Sequence, residues 1–252
     1  MKRKKFNIEL NPYKGRIVSK SNELIEKRTQ FTRNQERLFS VALKELQHIK
    51  GDEVHLDKRK LCEYLKYSGQ NAFTNLSNDL SGMKSKSNVK YLNENTQRYI
   101  DVSLITRVEI DNDDIIVQFN RDLLPKLRNL SRQYTKYFQD DFCSFTSKMS
   151  MKLYERLMEF YIYADSGVVF TTEQLIDVFC LEKNAYKDSR GVFQRSNFEK
   201  RTIKVAVEEI NEKTKCIKNL KYERVKHLGV VYYRFTYDYT APETPQHKID
   251  RP

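Results

Sequence analysis

Tryptophan is absent from the 252 residues, and glycine (7), proline (5) and cysteine (4) are scarce. Each scarcity excludes something. The glycines stand at 15, 51, 69, 82, 167, 191 and 229, and none begins a glycine-rich phosphate loop followed by Lys and Ser or Thr, so no ATP-driven motor is written here. Of the histidines His48, His55, His227 and His247, no two flank a single residue, so there is no His pair to hold a metal beside a nucleophilic tyrosine. Cys62, Cys143, Cys180 and Cys216 form no C-x-x-C pair and have no His at zinc-finger spacing. Three of them follow Leu61, Phe142 and Phe179, so they read as small buried hydrophobes. Carboxylate pairs such as Asp113-Asp114, Asp140-Asp141 and Glu208-Glu209 point apart on a helix or sit in turns. The expectation is a protein without catalysis, metal or cofactor. No run approaches about 18 apolar residues, and the basic start MKRKK lacks the apolar segment of a secretory signal. A cytoplasmic protein with no membrane partner is expected.

What the chain has in excess is positive charge. Lys and Arg number 46 against 34 Asp and Glu, a formal charge of +12. That surplus favours a polyanionic partner, and nucleic acid over membrane. Charge by itself does not choose DNA over RNA, but no aromatic stacking platform of the RNA-binding kind is evident in the pattern.

The order of elements repeats. Residues 1–20 read as a flexible basic arm with Lys2, Arg3, Lys4 and Lys5, followed by a helical turn over 22–27. Thr32 and Gln35 have capping-box spacing before a helix with Leu38, Phe39, Ala42, Leu43, Leu46 and Ile49 inward, stopped by Gly51. After a short strand at Val54–Leu56, Asp57 caps a helix to about Tyr67, and a turn leads to a third helix over 70–81. That third helix has Phe73, Leu76, Leu80 and Met83 on one side and Gly82 as its stop. Strands are predicted at 89–93, 99–110 and 115–119, then a short helix over 121–130. The second half runs likewise: a helix from Ser147 to about Tyr163 with Tyr161 inward, a strand at 168–170, a helix capped by Thr171 or Thr172, and a polar connection over 182–195. A helix over 196–213 follows, then strands at 217–226 and 230–237 around His227-Leu228-Gly229, a hairpin signal. Helix–turn–helix with a trailing hairpin is the winged-helix arrangement. The fold class expected is α+β, two tandem winged-helix domains. The divisions are a flexible arm at 1–20, a first unit at 21–140, a second at 141–237 and a disordered tail at 238–252.

The helix over 196–213 carries the functional signal. At about 100° per residue, Phe198, Thr202, Ile203, Ala206, Val207 and Ile210 share one half-circle, and Asn197, Lys200, Arg201, Lys204, Glu208 and Asn211 the other. Ser196 and Glu199 have capping-box spacing. A solvated surface helix would look the same in isolation; its place behind a helix and before a hairpin makes it the candidate major-groove reader. Asn197, Lys200, Arg201 and Lys204 are the base-reading candidates, since Arg matches the paired acceptors of guanine and Asn those of adenine. Lys187, Arg190 and Arg195 before the helix and Lys221, Arg224 and Lys226 in the wing are candidate phosphate contacts. In the first unit Asn71, Thr74, Asn75 and Asn78 form an uncharged polar face. Lys58, Arg59 and Lys60 precede it, Lys84 and Lys86 follow, and Arg98 and Arg107 stand near, which suggests backbone positioning. Glu208, Glu209 and Glu212 read as the acidic end that leaves the groove.

Four segments are familiar in order and spacing. They are Val18–Ile25 with Gln35-Glu36-Arg37-Leu38, Tyr134-Thr135-Lys136-Tyr137, Ser147–Glu155 with its Leu-Tyr-Glu core, and Phe198–Thr214. Together they resemble the plasmid replication initiators of the Rep_3 type, the iteron-binding proteins of theta-replicating plasmids. The resemblance covers about residues 18–237 and departs from the family at Glu199, where Lys or Arg is common. It implies a protein that binds direct repeats at a plasmid origin as a monomer, helps open the adjacent AT-rich duplex, and recruits the host initiator and replicative helicase. It also implies a dimer that binds an operator inverted repeat and represses the protein's own promoter, with dimerisation on the first unit and residues 89–119 as its candidates. A winged-helix transcriptional regulator with no role in origin opening would share the same interface.

Overall fold

The computed structural model describes residues 11–26, 30–93, 97–128 and 134–242. The chain enters as strand β1 (Ile17–Ser21) and a short helix α1 (Asn22–Glu26), then forms the central helix α2 (Arg33–Leu46). Thr32 caps α2 in a reciprocal capping box with Gln35, as its spacing predicts. The helix ends at Leu46, capped by Gln47, so Gly51 is not its stop. Nor is α2 merely amphipathic: Glu36, Arg37 and Ser40 are buried along with Leu38, Phe39, Val41, Ala42, Leu43 and Leu46, because other elements cover it on several sides.

Strand β2 (Glu53–Asp57) leads to α3 (Lys58–Leu65), capped by the Asp57 carboxylate, which accepts from the Lys60 N–H. Lys66, at φ 60°, turns the chain into α4 (Ala72–Ser85). Gly82 lies within α4 and does not end it; α2 and α4 pack so closely here that a Cβ would overlap the Gln35 amide. Phe73, expected inward, is 50% exposed. The predicted strand over 99–110 is two strands. β3 (Asn88–Asn93) and β4 (Arg98–Ser103) form one ribbon; then buried Leu104 redirects the chain into β5 (Ile105–Ile110), which pairs with β6 (Asp114–Phe119). The sheet order is β2-β6-β5. A 3₁₀ turn and α5 (Leu124–Arg128) follow, with Pro125 harmless in the first turn.

Strand β7 (Tyr134–Phe138) returns to pair with β1, Ile17 opposite Phe138 and Ser21 opposite Tyr134. The flexible arm expected over 1–20 is therefore corrected in its second half. Asn11, Tyr13, Val18 and Lys20 are buried, and Asn11 donates to the Lys60 carbonyl at 2.9 Å. Lys2, Arg3, Lys4 and Lys5 lie outside the described residues. Two helices follow, α6 (Gln139–Ser144) and α7 (Lys148–Glu159), the latter capped by Ser147. Helix α7 ends four residues before Tyr163, and Tyr161, expected inward, is exposed and stacks on Tyr239.

The second unit is completed by β8 (Val168–Thr171), α8 (Thr172–Val178) with a Thr171–Gln174 capping box, and the helical stretch from Arg195 to Lys213. The hairpin of β9 (Ile217–His227) and β10 (Val230–Tyr239) closes it, in the order β8-β10-β9. Leu228 and Gly229, both at positive φ, make its two-residue turn. Residues 238–239, assigned to the tail, belong to β10, and 243–252 lie outside the described residues. Cys62, Cys143 and Cys216 are buried, and Cys180 is half-buried.

A single buried cluster runs from Tyr13 to Tyr237 across both units. At its centre are four charges, none more than 4% exposed: Lys20 of β1, Glu36 of α2, and Lys152 and Glu155 of α7. Lys20 Nζ donates to Glu155 Oε1 at 2.8 Å and lies 4.0 Å from Glu36. Lys152 is 2.5 Å from Glu36 and 3.8 Å from Glu155, and the Tyr137 hydroxyl donates to Glu155 at 3.3 Å. Burial opposes the charge of Lys152, but Glu36 and Glu155 outweigh it and hold its pKa above the ordinary value. Removing one partner strands a buried charge. Glu155→Ala should therefore lower the unfolding free energy by about 3–5 kcal/mol. In urea denaturation, Lys20→Met with Glu155→Met should cost less than that single change.

A second buried carboxylate ties α7 to the last helix. Glu209, expected at an exposed acidic end, is 7% exposed and accepts from the Thr146 N–H (2.6 Å), the Thr146 hydroxyl (2.7 Å), the Ser147 N–H (3.1 Å) and Lys213 Nζ (2.6 Å). Burial raises its pKa, but hydrogen bonds from Lys213 and Thr146 prevail and bring it from 4.5 to about 2. A depressed folded-state pKa stabilises above the unfolded value, and that stability is lost as pH falls from 4.5 toward about 2. Glu209→Gln should be less stable at neutral pH and show a shallower loss across that window, read from thermal melts between pH 6 and 2.5.

Candidate nucleic-acid interface

The stretch before the reading helix is built, although its sequence shows no pattern. Lys187 bridges to Phe193, the Asp188 carboxylate accepts from the N–H groups of Arg190 and Val192 at 2.9 Å each, and Gln194 N–H donates to the Tyr186 carbonyl. Tyr186, Phe193, Phe179 and Tyr233 surround the fully buried Phe198, with ring centroids 5.4–6.3 Å away. This aromatic box fixes where the helix begins.

The helix starts as α9 (Arg195–Phe198), passes through a π-helical segment at Glu199–Ile203, and continues as α10 (Lys204–Lys213). Its cap position is Gln194, with no side-chain cap hydrogen bond; Ser196 lies inside the helix, and the expected Ser196–Glu199 capping box does not form. Phe198, Thr202, Ile203, Ala206 and Ile210 are buried, as their spacing predicts. Asn197, Lys200, Arg201 and Lys204 are exposed together. Asn211, placed on the open face, braces the wing instead: its amide donates to the Leu220 carbonyl at 2.8 Å and accepts from the Leu220 N–H at 2.7 Å.

Glu199 has a definite task. Its carboxylate accepts from Arg224 Nη1 at 3.1 Å and from the Tyr233 hydroxyl at 2.9 Å, joining the helix to both strands of the wing. Burial first, and the hydrogen bond to Glu199 second, push the Tyr233 hydroxyl above its ordinary pKa, so it stays a donor at neutral pH. Arg224, a phosphate candidate from the sequence, is thus joined to Glu199. Lys221 and Lys226 are exposed on β9, as are Lys187 and Arg190 before the helix, Arg190 lying 3.7 Å from Asp188. Arg195 is half-buried beneath the helix start.

In the first unit, Asn71, Thr74, Asn75 and Asn78 are exposed on one face of α4, with Lys84 and Lys86 exposed at its end. Arg59 is exposed, Lys60 lies 4.0 Å from Asp57, and Lys58 donates to the Asp111 carbonyl at 3.1 Å while its Nζ sits 4.8 Å from the Phe73 ring centroid. Phe73 is an apolar addition to this face that helical spacing misassigned; an exposed ring at a helix start suits a thymine methyl. Arg98 is exposed on the β3–β4 ribbon. Arg107, on the β2-β6-β5 sheet, is engaged by Glu109, with Nε donating at 2.7 Å, and lies 3.7 Å from Glu53 of the same sheet.

Among the described residues no group of His, Cys, Asp and Glu could hold a metal ion, and no helix is long and apolar enough to cross a membrane.

The comparisons agree with this layout. Residues 17–158 match the family model described as initiator replication protein, WH1, and residues 171–237 match that described as initiator Rep protein, WH2. No curated protein matches the chain in sequence. Among solved structures, the Pi initiator protein in complex with iteron DNA superposes with a TM-score of 0.69 at 13% identity, covering 90% of this chain and 98% of that one. Domains 2 and 3 of RctB match with a TM-score of 0.47 at 12% identity, over 84% of this chain and 85% of that one. With two family models spanning most of its length, and with two tandem winged-helix domains in its fold, the chain belongs to the initiator replication protein family.

Proposed function

We propose that this protein is a plasmid replication initiator that acts by binding DNA, without catalysis or cofactor. As a monomer it binds direct repeats (iterons) at the origin, helps to open the adjacent AT-rich duplex, and recruits the host initiator and replicative helicase in the cytoplasm. As a dimer it binds an operator inverted repeat and represses its own promoter, contributing to copy control. Residues 21–140 serve as the dimerising, backbone-contacting unit and 141–237 as the sequence-specific one.

The observation that carries this reading is the surface formed by Asn197, Lys200, Arg201 and Lys204. It stands exposed on a helix pinned beneath by Phe198 and beside by the Glu199–Arg224 pair. Membership of the initiator family and the likeness to an initiator seen with iteron DNA support the same surface. Bidentate contacts from Arg and Asn each contribute about 1–3 kcal/mol of discrimination, and the flanking cations supply salt-dependent affinity.

Lys200→Ala with Arg201→Ala should abolish preference for the origin repeats in a competition gel shift while weak non-specific binding survives; unchanged preference would remove this helix from the reading role. Glu199→Gln should release Arg224 and loosen the wing. Its affinity for unrelated duplex should rise and the salt slope steepen by about one unit, while discrimination for the repeats falls.

A further inference from the structure

Away from both reading helices, a cleft of about 580 Å³ opens between the β1–β7 ribbon and the last turn of α2. It is lined by Lys14, Arg16, Lys44, His48 and Lys136. The described carboxylates beside it are engaged: Glu45 pairs with Arg16, and Asp140 accepts from the Gly15 N–H at 2.9 Å and from the Tyr64 hydroxyl at 2.8 Å. Among the described residues no carboxylate pairs with Lys14, Lys44 or Lys136. The cations press on one another. Lys44 is pushed below its ordinary pKa by burial and then by Arg16, with Lys136 adding to it, and His48 by burial and then by Lys44 and Arg16. Such a pocket holds positive potential that Glu45 offsets only in part.

Its position separates it from the DNA-reading surfaces. Asn34, in the first turn of α2, donates to Asp79 of α4 at 3.0 Å, whereas Lys44 lies roughly 15 Å further down the helix axis. Pro242, which also lines the cleft, follows the base of the wing hairpin, while Leu228 and Gly229 form its far tip. Among the described residues no Phe, Tyr or Trp lines the walls and His48 carries the one aromatic ring, so the cleft offers charge and room but little stacking surface for a base.

We propose that this cleft is a phosphate-binding site, separate from the duplex-reading surface, that takes a chain of consecutive phosphates. That chemistry comes from a free oligophosphate or from the backbone of a single nucleic-acid strand, and the inference does not depend on the origin-binding reading.

Calorimetric titration of the full chain with tripolyphosphate at low ionic strength tests it. The expected result is one bound tripolyphosphate, about tenfold weaker in Lys44→Gln with Lys136→Gln, with duplex affinity unchanged to within about twofold. Lys136→Gln alone, at an exposed strand position, should give an intermediate loss with an unaltered thermal melt. Displacement of the bound tripolyphosphate by a thymidine oligonucleotide assigns the strand backbone as its source; resistance to displacement assigns the free oligophosphate. Absence of tripolyphosphate binding, equal binding by the double variant, or a parallel loss of duplex binding would overturn the proposal.

Discussion

Four charges buried where β1, α2 and α7 meet tie together the elements of residues 17–158, the stretch matched by the first winged-helix model. Lys20, Glu36, Lys152 and Glu155 each forgo hydration, and their mutual contacts, with the Tyr137 hydroxyl on Glu155, offset that cost. The geometry is demanding, because a small separation of any element leaves a charge in a dry interior. This explains why β1, remote in sequence from β7 and α7, is drawn into the fold. The buried core is continuous across two units that, by pattern, look like separate domains. From α7 the linkage continues: Glu209 receives the N–H groups of Thr146 and Ser147 at the start of α7 and the ammonium of Lys213 at the end of α10. The helix beginning at Arg195 is therefore positioned by polar contacts that trace back through α7.

At the other end of that helix the same economy of charge operates in the open. Phe198 seats the first turn in an aromatic box, and Glu199 spends its carboxylate on Arg224 and Tyr233. A carboxylate so close to a DNA-facing surface would repel phosphate; paired with a guanidinium, it becomes a strut between helix and wing. The cations left open are Lys200, Arg201 and Lys204, beside the neutral Asn197. Glu199 thus has a structural role.

Much of this was legible in the sequence, for identifiable reasons. Capping residues at Thr32, Asp57, Ser147 and Thr171 announce their helices locally, and the spacing of Phe198, Thr202, Ile203, Ala206 and Ile210 places one face inward. What was not legible depends on distant partners. Lys20 and Glu209 look like surface charges until Glu155 and Thr146 are beside them, and the β1 strand looks like a basic arm until β7 returns to it. Gly82 reads as a helix stop because its other use, admitting Gln35, requires the tertiary contact to be known. Phe73 reads as core because helical spacing cannot distinguish a buried ring from an exposed one packed against a lysine.

The central claim is that this chain recognises repeated DNA through the helix beginning at Arg195. Footprinting on the DNA flanking its coding region, under conditions that favour monomers and then dimers, tests it most directly. Monomers should protect direct repeats spaced by about two turns of the duplex beside an AT-rich stretch, and dimers an inverted repeat near the promoter. Protection of an inverted repeat alone, under every condition, would contradict the initiator account and leave a repressor.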